Sequence, residues 1–231
     1  MSSAARIQDS HIRPRRLPLS TTTPFHHRFI TALFAIGMVG ALLGAGTARA
    51  QTWLESGDAP ELPATAQVTS GTGPLTEIDG NLLDDADVDM YCIKVTDPLS
   101  FFAQLQCVII QGPDIRLFNA GGVGASANFL CQASAKYVSG AFANTAGTYY
   151  LAVCYRGKEA FAGPDAIWLA SNLAEHAPDG PGAAGVVNGW GGIGLQAPIN
   201  PYRIFLSGAT FCDNATPTHA RSWGALKLIY R

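Results

Sequence analysis

Four aspartates stand within six residues of this chain, directly before a strand-like run. They are Asp84, Asp85, Asp87 and Asp89 in the stretch DDADVDMYCIKVTDP. On an extended backbone Asp85, Asp87 and Asp89 would share one edge, roughly 6.6 Å apart per two-residue step. That spacing suits a general acid and base, and it equally suits a calcium ion, whose oxygen ligands tolerate flexible loops. A third interpretation is a solvated turn, because acidic residues are common in turns.

Other motifs for metal binding or catalysis do not fit the sequence. Counted from Asp85, an EF-hand loop would need glycine where Met90 stands and glutamate where Thr96 stands. The chain has no G-x-S-x-G or H-E-x-x-H motif, and no Cys-x-x-Cys spacing that would indicate a zinc or redox site. The run GWGGIG at 189–194 has the form of a dinucleotide-binding loop, but prolines follow where that loop requires a helix. The acidic stretch is therefore the main chemical feature of the sequence.

The first 50 residues have the pattern of a secretory signal peptide. Five arginines precede an apolar run from Phe29 to Ala45, and Ala48-Arg49-Ala50 fits the small-x-small cleavage pattern. A run of about 17 apolar and small residues is at the short limit for a membrane anchor. The sequence therefore predicts cleavage after Ala50, a secreted or periplasmic protein, and no membrane attachment after cleavage.

The mature chain predicted from this cleavage, 51–231, is acidic and contains every cysteine. It has 9 basic and 16 acidic residues, a net charge of −7, and such a charge offers no basic footprint for a nucleic acid. An exported chain meets an oxidising compartment, where cysteines form disulfides. Because the five cysteines are an odd number, at least one thiol stays free or pairs between chains.

Alternation of apolar and polar residues predicts an all-β domain. In the run MYCIKV, Tyr91, Ile93 and Val95 share one face, and GTYYLAVCY at 147–155 alternates in the same way. Short strands separated by Gly and Pro turns are typical of an antiparallel β-sandwich, and no segment of the mature chain has a long helical period. Between residues 156 and 201 the alternation is lost, which predicts a long Gly/Pro-rich loop of a kind that is often functional.

Four segments occur in an order that is typical of a known family. They are ESGDAPELPATAQ (55–67), IDGNLLDDADVDMYCIKV (78–95), AGTYYLAV (146–153) and PYRIFLSGATF (201–211). They resemble the bacterial pre-peptidase C-terminal domain family, most closely its exported relatives that often carry a PEP-CTERM sorting tail. The resemblance implies a β-sandwich of jelly-roll type and a non-catalytic role in secreted proteins. Collagenase-associated members of that family bind calcium.

The resemblance also implies which residues would bind the calcium ion. The family draws ligands from the lead-in to the domain and from its Asp-rich turn. The matching lead-in residues are Glu55 and Asp58, and the matching turn residues are Asp85 and Asp87. Asp89 is left outside this set because it borders the following strand.

The same resemblance predicts a disulfide between Cys92 and Cys212. Cys92 stands in the first strong strand and Cys212 just past the last one. In a sandwich of this kind those strands lie side by side, near the Cα separation of about 5.5–6 Å that a disulfide requires.

The sequence thus predicts three regions and one function. A signal peptide (1–50) precedes a β-sandwich domain (51–211), and a C-terminal tail follows (212–231). We expect a secreted module without catalytic activity that binds an extracellular polysaccharide or protein, with a calcium ion in a structural role. The alternative is a hydrolase of an extracellular polymer that uses the carboxylates of the cluster at 84–89.

Overall fold

The computed structural model is all-β in the residues that it describes, which are 50–106, 112–132, 134–169, 173–194 and 201–214. These ranges hold sixteen strands and no helix. Consequently, no helix within them is long and apolar enough to cross a membrane. The predicted leader before Ala50 and the predicted tail beyond Asn214 lie outside the described residues.

The strands are numbered in chain order. Their bounds are β1 (Gln51–Leu54), β2 (Gln67–Val68), β3 (Ser70–Gly71), β4 (Leu75–Asn81), β5 (Val88–Val95), β6 (Phe102–Gln106), β7 (Asp114–Asn119), β8 (Gly124–Asn128), β9 (Ala135–Ser139), β10 (Gly147–Cys154), β11 (Glu159–Ala162), β12 (Asp165–Ala166), β13 (Gly189–Gly191), β14 (Pro201–Ser207), β15 (Ala209–Phe211) and β16 (Asp213–Asn214).

Two large sheets contain most of these strands. Sheet A has the order β1-β4-β14-β6-β9, and sheet B has the order β15-β5-β10-β7-β8, with β2 also beside β5. Most neighbours are antiparallel, as predicted, but β1 runs parallel to β4 and β2 runs parallel to β5. The sheets are therefore mixed, which corrects the prediction of an antiparallel sandwich. Parallel neighbours need a long connection, and residues 55–74 supply one between β1 and β4.

The main hydrophobic core lies between sheets A and B. Ile78 of β4 and Ile204 of β14 come from sheet A and are fully buried in the same cluster as the inward residues of sheet B. In β5 those inward residues are Tyr91, Ile93 and Val95, so the face predicted from alternation is confirmed. The shared core makes the architecture sandwich-like.

A second core lies on the opposite face of sheet B. It joins Met90 of β5 and Phe118 of β7 to Trp168 and Val187, which follow β10 in the chain. The segment that supplies them was predicted as a loop over 156–201, but it carries a small sheet of order β12-β11-β13. The loop prediction is wrong for these strands. They are too short to show alternation, and the segment that carries them packs against sheet B through the second core.

The predicted disulfide between Cys92 and Cys212 is confirmed, with 5.5 Å between the two Cα atoms. Cys92 lies in β5, and β15, which ends one residue before Cys212, pairs with β5. Thr69 links the two halves of this disulfide, because its hydroxyl donates a hydrogen bond to the carbonyl of Cys92 and accepts one from the N–H of Cys212. Pairing continues through β16, which lies beside β3, so residues 212–214 remain attached to the domain.

Cys131 also forms a disulfide, and Cys154 is the free thiol among the described cysteines. We expect Cys154 to resist thiol reagents in the folded protein. Burial raises the pKa of its thiol to about 12, although the charge of Arg116 opposes that rise. Because the thiolate is the reactive form, a chromogenic disulfide reagent at pH 8 should react only after denaturant is added. Immediate reaction of one thiol in the native protein would contradict this expectation.

Candidate metal centre

Three segments meet near the start of β5: the lead-in after β1, the turn between β4 and β5, and β5 itself. One carboxylate oxygen from each of Glu55, Asp58 and Asp89 lies within 4.8 Å of the others. Glu55 and Asp58 belong to the lead-in, and Asp89 belongs to β5. The cluster therefore joins a segment that leaves sheet A to a strand of sheet B.

Glu55 is oriented by backbone donors on two sides. Its Oε1 accepts a hydrogen bond from the N–H of Ala59 at 2.9 Å, and its Oε2 accepts one from the N–H of Asn81 at 2.7 Å. Gly57, at φ +70°, adopts the left-handed conformation within the turn that returns the chain to Ala59. Burial raises the pKa of Glu55, while the two backbone hydrogen bonds act to lower it. The carboxyl group is thus held in place by contacts independent of any ligand.

Asp89 is the buried member of the cluster. It has no exposed surface. Its Oδ2 accepts a hydrogen bond from the Tyr202 hydroxyl at 2.7 Å, whereas its Oδ1 receives none, and the carboxyl group of Glu55 lies within hydrogen-bonding reach of Asp89. Burial raises the pKa of Asp89 to about 9, the bond from Tyr202 lowers it, and the charges of Glu55 and Asp87 raise it further. A buried carboxylate in such surroundings requires either a proton or a cation.

The structure brings together two of the four ligands that the resemblance predicts. Glu55 and Asp58 are in the cluster. Asp87 lies close enough to the cluster for its charge to act on Glu55. The Oδ2 atom of Asp87, however, accepts a hydrogen bond from the N–H of Leu83 at 2.5 Å and so closes the turn. Asp85 is exposed on that turn and is not part of the cluster. A ligand role for Asp85 and Asp87 stays a prediction.

The predicted ligand set leaves out Asp89, although the sequence contains a signal for it. The alternation that places Tyr91, Ile93 and Val95 on the core face places Asp89 on that face too. An acid in phase with a buried face has to be hydrogen-bonded, protonated or bound to a cation. Alternation in β5 therefore identifies Asp89 without any reference to a family.

The donor set of the cluster consists of carboxylate oxygens. The ion pairs between described residues involve Arg116, Lys136 and Arg203, and none of them includes an acid of the cluster. Carboxylates are the ligands that calcium prefers, whereas zinc prefers nitrogen and sulfur. Asp58 is exposed and lines a groove of about 460 Å³ together with Asp87. The arrangement can hold a hard cation whose remaining ligands are water.

The fold and the cluster together define an all-β, sandwich-like protein with a candidate cation centre. No protein-family model matches the chain, and comparison with curated proteins gives no match either. The resemblance to the pre-peptidase C-terminal domain family therefore stays a prediction that rests on the sequence segments alone.

Proposed function

We propose that the protein is a secreted, non-catalytic binding module with a jelly-roll β-sandwich that is stabilised by a calcium ion. The observation that carries this proposal is the cluster of Glu55, Asp58 and Asp89, in which a fully buried carboxylate keeps one oxygen without a hydrogen-bond partner. A cation bound there would tie the lead-in that follows β1 of sheet A to β5 of sheet B.

Calcium is the cation that this donor set suits. It takes about six to eight oxygen ligands in flexible geometry. Glu55, Asp58 and Asp89 supply carboxylates, and Asp87 is a further acid whose charge acts on both Glu55 and Asp89. Water that enters from the groove beside Asp58 would complete the shell. The positive charge would also relieve the repulsion among the acids.

The order of the strands supports a jelly-roll connection. Along the chain, β4, β6, β9 and β14 belong to sheet A, while β5, β7, β10 and β15 belong to sheet B. The chain crosses repeatedly between the sheets, so strands that are distant in sequence, such as β4 and β14, become neighbours. Repeated crossing of this kind is typical of jelly rolls.

Secretion is supported by two independent features. The first 50 residues carry the leader pattern with its cleavage motif before Gln51. The domain also contains the disulfide between Cys92 and Cys212 and a further disulfide at Cys131. Disulfides persist in oxidising compartments outside the cytosol.

The contacts of the acidic stretch favour a structural role. A polymer hydrolase would need an acid and a base that reach the substrate, and Asp89 is fully buried. Asp84 and Asp87 accept hydrogen bonds from the N–H groups of Ala86 and Leu83 and so hold the turn. We therefore do not propose catalysis by the cluster at 84–89.

Calcium should raise the melting temperature of the mature chain relative to the same protein in chelator. At a free concentration a hundredfold above Kd, a ligand of the native state adds about 2.7 kcal/mol. For a domain of this size that corresponds to an increase of about 5–10 °C. Thermal unfolding followed by circular dichroism measures the shift.

Two matched variants assign that shift to the cluster. Asp89→Asn should remove most of it, because the buried ligand loses its charge. Asp165→Asn makes the same chemical change at an exposed position of β12, outside the cluster, and should keep the shift. No calcium effect in the wild-type protein, or an undiminished one in Asp89→Asn, would refute the proposed site.

The binding function is tested separately with glycan and matrix-protein arrays. The mature chain, 51–231, should bind a polysaccharide or a protein in the presence of calcium and lose that binding after chelation. Failure to bind either class of ligand would contradict a role as a binding module.

A further inference from the structure

A pair of tyrosine hydroxyls lies behind the buried carboxylate. Tyr202 of β14 donates a hydrogen bond to Asp89 Oδ2 at 2.7 Å, and its oxygen is 2.6 Å from the hydroxyl oxygen of Tyr91 in β5. A phenol has one proton. When Asp89 is ionised, as a bound cation requires, Tyr202 gives its proton to Asp89 and the Tyr91 hydroxyl is the donor in the second bond. The chain of donors therefore runs from Tyr91 through Tyr202 to Asp89.

Gly80 of β4 provides the space for this pair. A Cβ atom at this position would overlap the ring and hydroxyl of Tyr202 and would lie 2.6 Å from the hydroxyl of Tyr91. Tyr91 and Tyr202 are 0% and 6% exposed and belong to the main core. Phenylalanine would fill the same volume without a polar atom, so packing alone does not account for the two hydroxyls.

We propose that Tyr202, backed by Tyr91, is a positioning residue of the cation centre: it holds Asp89 Oδ2 so that Oδ1 is the oxygen presented to the cation. The inference rests on the calcium site proposed above. Oδ1 is the atom of Asp89 that receives no hydrogen bond, whereas Oδ2 accepts the hydrogen bond from Tyr202. Hydrogen bonds from the surrounding protein commonly fix the orientation of metal ligands in this way, and successive hydrogen bonds in a buried chain strengthen one another.

Tyr202→Phe should weaken calcium binding by about tenfold or more, since loss of a group that orients a metal ligand costs about 10–100-fold in affinity. Isothermal titration calorimetry of the mature chain with calcium measures the change. Tyr91→Phe leaves the donor to Asp89 intact and should have a smaller effect.

Tyr149→Phe is the matched control. Tyr149 also belongs to the main core, is 5% exposed, and donates from its hydroxyl to the carbonyl of Thr145 at 3.0 Å. Its loss removes an equivalent hydroxyl that has no bond to the cluster. The calcium affinity of this variant should stay within about twofold of the wild-type value, as expected for independent sites.

Tyrosine absorbance reports on the surroundings of the Tyr202 hydroxyl, and calcium would not change it in this way if Tyr202 had a purely structural role. Calcium binding to Asp89 changes the electron density at the acceptor of the Tyr202 hydroxyl. Titration of the wild-type protein with calcium should therefore perturb its near-ultraviolet tyrosine spectrum with the midpoint seen by calorimetry. Tyr202→Phe should lose most of this signal and Tyr149→Phe should keep it.

The outcomes separate this inference from the proposed function. Wild-type protein that binds no calcium would overturn both. Wild-type protein that binds calcium while Tyr202→Phe binds it equally well would overturn the positioning role alone. If Tyr202→Phe does not fold, the wild-type spectrum decides: a tyrosine change that follows binding supports the assignment, and an unchanged spectrum overturns it.

Discussion

Replacing Cys92 and Cys212 together with alanine should lower the free energy of unfolding by about 4–5 kcal/mol. The bridge spans a sequence separation of 120 residues, and closing a loop of that length removes a large conformational entropy from the unfolded chain. The disulfide at Cys131 remains in this variant, so the measurement reports on one bridge. Equilibrium unfolding in urea under oxidising conditions gives the difference.

Reducing conditions provide the control for the lost side chains. With every disulfide reduced, wild-type protein and the double alanine variant should differ by no more than about 1 kcal/mol, because the cross-link is then absent from both. A difference of that small size already under oxidising conditions would show that the bridge contributes little to stability.

Lys136→Met should destabilise the domain by about 3–5 kcal/mol, because it breaks a buried ion pair and leaves one charge without a partner. Lys136 Nζ is 2.5 Å from Asp114 Oδ1 and 2.7 Å from the carbonyl oxygen of Gly112, and the two side chains are 0% and 1% exposed. Lys136 belongs to β9 of sheet A and Asp114 to β7 of sheet B. The pair therefore links the two sheets as well as satisfying two buried charges.

A second variant separates two contributions to this loss of stability: the missing ion pair, and the cost of leaving one buried charge unpaired. Lys136→Met combined with Asp114→Leu removes both charges and should be more stable than Lys136→Met alone, since no isolated charge stays buried. Lys94→Met, at an exposed position of β5, should change stability by no more than about 0.5 kcal/mol. An effect of Lys136→Met as small as that of Lys94→Met would rule out the stabilising role of the pair.

The strand β5 illustrates how much of the fold the sequence predicts. Its alternation correctly places Tyr91, Ile93 and Val95 in the main core, because side chains of a strand point to opposite faces in turn. The disulfide from Cys92 to Cys212 was predicted from the family resemblance and is confirmed. The same alternation also places Asp89 inside, so this part of the candidate site could be predicted by the same rule.

The remaining features depend on contacts between distant parts of the chain. Tyr202 is 113 residues from Asp89 in sequence, and no local pattern connects them. Lys136 stands beside Tyr137 and Val138 in a short strand, and only the packing of β9 against β7 gives its charge a partner. Strands β11, β12 and β13 are likewise too short to be recognised alone, and the segment that carries them is fixed by the second core.

The position of β14 in sheet A bears on how early that sheet can form. This strand lies between β4 and β6, yet it follows every other strand of sheet A in the chain. Until residues 201–207 are available, β4 and β6 have no common neighbour and the main core lacks Ile204 and Leu206. A fold built from such long-range pairings forms slowly, because the entropy of closing large loops has to be overcome first. We therefore expect sheet A and the main core to form only after residues 201–207 have been synthesised, and the bridge from Cys92 to Cys212 to close only after that.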